Sequence, residues 1–219
     1  MATENEKPEG AKEFEVRLAQ PGDVDQLAAL HQATFTPQEH LLILFGTTVL
    51  RPIYRWFVDS PETFTVAASV AGRIVGLCTA CDRPYNGPMV RRNRLALALG
   101  ALRHPGVLFH PEIQRRLKAA LTGPKKGEAA AETDPPAQFG FLAVHREYHG
   151  TPVAEALLRR AVEECRVRQW RRVRAGVYKQ NLPARFMYSK LGFQENKALR
   201  TEQMVFVELD LCNGNGADS

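Results

Sequence analysis

Between residues 139 and 193 the spacing of apolar positions changes repeatedly, and each change marks an element. Phe139-Gly140-Phe141-Leu142-Ala143-Val144 is a short β-favouring apolar run without helical periodicity, which predicts a buried strand. His145 to Gly150 breaks the pattern, and Gly150 suits a sharp turn because it lacks a Cβ. Thr151 as N-cap and Pro152 at the first helical position then predict a helix start. Val153, Leu157, Ala161 and Cys165 form one helical row with Ala154, Leu158 and Val162 beside it, while Glu155, Arg159, Glu163 and Arg166 face away. Near Arg171 the period becomes two, with Val173, Ala175 and Val177 alternating against Arg172, Arg174 and Gly176. Strand, amphipathic helix and strand in one run predict a crossover between parallel neighbours. The loop entering the helix offers free N–H groups and a dipole favouring an anion. An ordinary capped helix has the same local sequence, so the pattern alone leaves both readings open.

The rest of the chain arranges itself around that stretch. Phe14 to Leu18 alternates as a strand, and Pro21-Gly22-Asp23 predicts a helix start capped by Asp23, carrying Val24, Leu27, Leu30 and His31. Thr36 to Glu39 predicts the start of a second, unusually apolar helical stretch through Leu41, Phe45 and Leu50. Phe64 to Val70 and Arg73 to Thr79 read as a hairpin turning at Ala71-Gly72. From Tyr85 to Gln138 comes a long insertion, with helices expected over Val90 to Leu102 and Pro111 to Leu121 and a mobile Ala/Glu/Pro stretch over Gly127 to Pro136. Arg91, Arg92 and Arg94 read either as a solvated face or as a collar for an anionic ligand. Gln203 to Leu209 is expected as a closing strand, with a disordered tail expected over residues 1–12 and a Gly/Asn-rich tail over 212–219. Residues 13–211 are expected to form one domain.

Composition narrows the possibilities. A length of 219 residues permits a substantial core, and 44% hydrophobic with 24% charged residues is ordinary for a globular protein. A net charge of +5 leaves room for acidic ligands without specifying nucleic acid. Four cysteines do not make a disulfide framework. Cys78 and Cys81 form a C-x-x-C, but on a strand their side chains point to opposite faces, and no second pair completes a metal site. No apolar run is long enough to span a bilayer, and Met1 to Glu15 lacks the apolar core of a secretion signal, so a cytoplasmic setting is expected. The arginine-rich run from Arg159 to Arg174 mixes with acids and lacks interleaved aromatics, as the outer face of a helix does. No nucleic-acid or membrane partner is expected.

Asn181-Leu182-Pro183-Ala184-Arg185-Phe186-Met187-Tyr188-Ser189-Lys190-Leu191-Gly192-Phe193 opens on an N-cap residue and closes on a glycine stop. The order and spacing of Asn181, Ala184, Tyr188, Gly192 and Phe193 resemble the cofactor-binding core of the GNAT (GCN5-related N-acetyltransferase) family. Upstream, His149 to Ala154 aligns with the family's Arg/Gln-x-x-Gly-x-Gly/Ala turn, with His149 where Arg or Gln is usual and Pro152 in place of the first glycine. Pro152 has no N–H to offer a phosphate, whereas Gly150, Thr151, Val153 and Ala154 do. The resemblance implies an α/β fold, a central mixed, mostly antiparallel sheet with flanking helices and the helical insert between strands 3 and 4. It implies acetyl-CoA as acyl donor, no metal, and an N-acetyltransferase acting on a primary amine, small molecule or peptide, by direct attack in a ternary complex. The assembly would be a monomer or homodimer. Cofactor-binding positions implied are Leu142, Ala143, Val144, His149, Gly150, Thr151, Val153, Ala154, Asn181, Ala184 and Tyr188. Tyr188 would be the acid to the departing sulfur, and its phenol, with an ordinary pKa of about 10, keeps its proton at neutral pH. For a general base Glu39, Asp82, His145 and Glu147 are candidates, with water-relayed deprotonation as an alternative. A catalytically inactive module of this fold, binding CoA or a protein partner, is the second reading.

Overall fold

The computed structural model describes residues 13–111, 113–114 and 134–212. The expected tails, most of the second insert helix and most of the Ala/Glu/Pro stretch lie outside those residues. Seven strands form one sheet: β1 (Glu15–Leu18), β2 (Thr63–Val70), β3 (Arg73–Cys81), β4 (Ala137–Val144), β5 (Arg172–Tyr178), β6 (Gln194–Glu195) and β7 (Met204–Asp210). Their order is β1-β2-β3-β4-β5-β7-β6, and every pair is antiparallel except β4 with β5. The β2–β3 turn has positive φ at both Ala71 (48°) and Gly72 (79°), the twist that suits a two-residue hairpin.

Helices cover both faces. On one side lie α1 (Val24–Thr34), α2 (Thr47–Asp59), α3 (Asn86–Arg92) and α4 (Arg94–Arg103). Their core joins Leu27, Val49, Ile53, Tyr54 and Phe57 to Leu77, Phe141 and Ala143 of the sheet. On the other side lie α5 (Val153–Val167) and α6 (Leu182–Lys190), where Val153, Leu157, Leu158, Ala161, Cys165 and Tyr188 meet Cys78, Phe139 and Val144. Gly76 lets α5 approach closely, since a Cβ there would sit 2.7 Å from Leu157 Cδ1. The two C-x-x-C thiols do point to opposite faces, and all cysteines among the described residues are free.

Several boundaries depart from expectation for local reasons. Asp23 does not cap α1; its carboxylate closes the preceding turn onto the Gln20 N–H (2.8 Å) and pairs with Arg17 (2.6 Å). Helix α2 starts at Thr47 rather than near Thr36, because Gly46 at φ 66° separates it from a short 3-10 turn over Leu41–Phe45. The first insert helix is two, broken at Asn93, whose side chain donates to the Met89 carbonyl (2.9 Å). At the start of α5, Pro152 occupies the cap position and no side-chain cap forms; the Thr151 hydroxyl turns instead to the Tyr148 carbonyl at 2.6 Å.

Candidate active site

The parallel pair at the sheet centre parts early. β4 and β5 pair only at Ala137–Val173 and Gln138–Arg174, although both strands run on for several residues. On the other flank β4 stays paired with β3 through Val144. His145 N–H donates to the Val75 carbonyl (2.7 Å), which marks that pair as hydrogen-bonded. Antiparallel pairs alternate, so the amide groups of Val144 (opposite Gly76) and Leu142 (opposite Cys78) face away from β3, toward the seam where β5 has drawn off. Ala143, between them, places its side chain on the α1–α2 face. The seam is therefore edged by backbone donors and acceptors of Leu142 and Val144, of which the Val144 carbonyl is taken by His149 Nε2 at 2.9 Å.

A bulge lies just below. Gly140 and Phe141 together oppose Thr79, and the Phe141 N–H donates to the buried Thr79 hydroxyl at 2.7 Å. The extra residue reverses the facing of the rest of β4. Phe139 packs on the α5 side, whereas Phe141 and Ala143 pack on the α1–α2 side. Gly140 has to be a glycine here, since a Cβ would stand 2.6 Å from Thr79 Oγ1.

After Val144 the chain makes a 3-10 turn (Arg146–Tyr148), passes Gly150 at φ 78° and enters α5. The first amide of α5 bonded to a backbone carbonyl is Ala156, to Pro152 at 2.9 Å. Val153 N–H has only a long contact to the Thr151 hydroxyl (3.5 Å), and the amides of Gly150, Ala154 and Glu155 have no backbone acceptor among the described residues. These N–H groups gather at the positive end of a 15-residue helix, directly beyond the open seam. Thr151 N–H is spent on the Tyr148 carbonyl (3.3 Å), so the cradle is narrower than the sequence suggests. Glu155 faces outward, clasped by Arg159 (2.7 Å) and by Lys190 of α6 (2.9 Å), and those cations hold its carboxyl below the usual range.

Helix α6 brings the remaining positions. Asn181 caps it, accepting from Ala184 N–H at 3.1 Å, and Gly192 at φ 87° stops it, with Phe193 N–H returning to the Tyr188 carbonyl (3.1 Å). Tyr188 is 4% exposed and points into the core beneath the seam, edge-on to Phe193 at 5.0 Å. Burial, reinforced by the neighbouring Cys78 thiol, pushes its phenol far above the ordinary value, and Cys78 itself is raised to about 12 by burial. Tyr188 thus holds its proton at any physiological pH.

The four candidate bases do not converge. Glu39 binds Thr36 N–H and hydroxyl (2.9 and 2.8 Å), and Asp82 forks onto Arg83 (2.7 and 2.9 Å) at the far end of β3. His145 and Glu147 sit on the loop beyond β4, 3.7 Å apart. Sequence patterning misses a pair under the bulge: fully buried His31 meets the Tyr54 hydroxyl through Nδ1 at 2.8 Å, ringed by Phe35, His40 and Phe141. Its Nε2 is buried without a hydrogen-bond partner among the described residues, and burial together with nearby His40 lowers its pKa to about 3. In the sequence His31 looks like one more inward position of a helix; only its register with Tyr54, 23 residues on, distinguishes it. No group of three or more metal-ligating side chains gathers among the described residues.

The family model of the Acetyltransferase (GNAT) family matches residues 25–193, and the chain belongs to that family. Solved structures share the fold at low identity. YncA of Salmonella typhimurium, solved with its cofactor acetyl-CoA, is 15% identical, with TM-score 0.57 over 94% of this chain and 98% of its own. The PaiA N-acetyltransferase of Thermoplasma acidophilum, in complex with coenzyme A, is 12% identical, with TM-score 0.57 over 90% and 99%. An N-acetyltransferase from Staphylococcus aureus is 15% identical, with TM-score 0.53 over 91% and 99%. No curated protein matches the chain.

Proposed function

We propose that this protein transfers an acetyl group from acetyl-CoA to a primary amine, the two held together for direct attack. The observation that carries the reading is the early parting of β4 from β5 together with the amides at the start of α5 that have no backbone acceptor among the described residues. Leu142 and Val144 offer their edge groups to an extended, amide-bearing arm, much as an exposed strand accepts another. Gly150, Val153 and Ala154 offer N–H groups to phosphate oxygens, with the α5 dipole favouring the charge. Asn181 and Ala184, joined by the hydrogen bond that fixes the first turn of α6, would border the bound cofactor. Acetyl-CoA, when bound, supplies the activated acetyl thioester.

The chain's own groups supply the rest. An N–H of Leu142 or Val144 can donate where negative charge develops on the acyl oxygen. Burial makes phenolate costly, so Tyr188 keeps its proton, and its hydroxyl can donate a hydrogen bond to the sulfur as negative charge develops there. Proton removal from the amine falls to solvent or to a group near the β4 bulge.

Amine-dependent thiol release across a panel of small amines and peptides tests this reading. Release above the rate of simple hydrolysis with at least one amine is expected. Binding of acetyl-CoA without release for any amine would favour the inactive-module reading. Two features support that alternative: Pro152 has no N–H, and His149 occupies the Val144 carbonyl.

A further inference from the structure

The insert carries a surface that the transfer reaction does not use. Helix α4 has two apolar stripes. Gly100, Leu97 and Ala101 turn inward, with Gly100 against Val49 and Phe45 of the α2 layer. Leu95, Leu99 and Leu102, at i, i+4 and i+7, line the opposite side and are 55–77% exposed. Val90 on α3 and Phe109 just after α4 add to the same insert, at 50% and 76% exposure. Of the eight large apolar side chains exposed among the described residues, these are five. A helix apolar all round is ordinarily buried on both sides, so the outer stripe calls for a partner.

Charge identifies the partner. Residues 83–111 contain five arginines and no Asp or Glu. Arg83 is paired with Asp82 (2.7 Å), which leaves Arg91, Arg92, Arg94 and Arg103 as most of the chain's net +5. None of these four has an ion-pair partner among the described residues. Arg91, Arg92 and Arg94 line an open cleft of about 530 Å³ with Trp56 and Leu95, where Glu62 is the single acid among the described residues. Arg103 stands at the other end of the leucine row.

A row of leucines with guanidinium groups at both ends suits a surface that is apolar within and anionic at its face. We propose that the α3–α4 insert docks on an anionic lipid surface, with Leu95, Leu99 and Leu102 entering the acyl boundary and the arginines meeting headgroup phosphates. This revises the expectation of no membrane partner, which rested on span length; no helix among the described residues is long and apolar enough to cross a membrane, and docking needs none. A second copy fits less well, because antiparallel pairing of α4 about a two-fold axis would set Arg94 of one copy against Arg103 of the other. A nucleic acid would engage the arginines and leave the leucines in water.

Vesicle co-sedimentation of the full chain tests the proposal, using phosphatidylcholine alone and phosphatidylcholine mixed with phosphatidylglycerol. Binding is expected only to the mixed vesicles and should weaken with salt. Neutralising three charges (Arg91→Gln, Arg92→Gln and Arg94→Gln together) should lower partitioning roughly a hundredfold. Leu95→Ser, Leu99→Ser and Leu102→Ser together should lower it at least about tenfold. All six side chains are exposed, and thermal midpoints near that of the unaltered chain confirm that the variants fold. Absence of binding to mixed vesicles would overturn the proposal, as would full binding by the leucine variant. Polyglutamate binding without vesicle binding would assign an acidic protein partner instead. Self-association of the chain, abolished in the leucine variant and unaccompanied by vesicle binding, would assign a second copy.

Discussion

Mild acid should destabilise the protein through His31. The imidazole is fully buried against Tyr54, Phe35 and Phe141, and its pKa falls to about 3 from an ordinary 6.5. Well above pH 6.5 neither the folded nor the unfolded chain protonates it, so its contribution to stability is complete there. Below that, the unfolded chain takes up a proton that the folded chain refuses until about pH 3, and stability falls as pH falls. One proton corresponds to about 1.4 kcal/mol per pH unit, or roughly 2 kcal/mol between pH 6.5 and pH 5. Against a typical total of about 5–15 kcal/mol that is readily measured, and it corresponds to a midpoint lowered by roughly 4–8 °C. Urea unfolding at a series of pH values, on the unaltered chain and on His31→Phe, is the assay. The phenylalanine keeps a ring among the aromatic neighbours and loses both the titration and the 2.8 Å bond to Tyr54. It should be less stable at neutral pH, by about 1–3 kcal/mol for the stranded hydroxyl, yet flatter between pH 6.5 and pH 5. An identical slope in both proteins would refute the argument, since a packing defect shifts the curve without changing its slope.

The same geometry sets other outcomes. Thr79→Val should cost about 1–3 kcal/mol by stranding the buried Phe141 N–H, and a variant as stable as the unaltered chain would mean the bulge does not need that hydroxyl. Tyr188→Phe should leave folding and acetyl-CoA affinity nearly unchanged and lower kcat roughly ten- to a thousandfold, with little effect on KM; unchanged kcat in a folded variant would leave Tyr188 as packing. The Arg17 partner holds Asp23 below the usual carboxylate range, so its contribution is present above about pH 4 and is lost as the pH falls further. Acid titration of Asp23→Asn should accordingly show a shallower loss of stability in that range.

Much of the central fold was legible because its periods are clean. The apolar run at Phe139, the row Val153-Leu157-Ala161-Cys165 and the alternation around Val173 each meant one element, and Gly150, Asn181 and Gly192 marked the joints. What stayed hidden depends on partners far along the chain. The bulge at Gly140 and Phe141 needs Thr79, 62 residues before Phe141, and local sequence shows only a continuous strand. The early parting of β4 from β5 reflects how two strands diverge in space, which no run of residues encodes by itself. Thr151 departs from expectation for a local reason: its hydroxyl donates to the Tyr148 carbonyl at 2.6 Å, which leaves its oxygen 3.5 Å from the Val153 N–H it was expected to accept from.

Calorimetric titration tests most directly the acetyl-CoA site proposed at the β4–β5 seam and the start of α5. Acetyl-CoA should give saturable heat, and phosphate-free acetyl-pantetheine should bind more weakly, by at least roughly tenfold, having lost the charge-assisted bonds to the α5 amides. Equal affinity for the two would place the phosphates elsewhere. No heat with millimolar acetyl-CoA, in a chain shown to be folded, would contradict the site altogether.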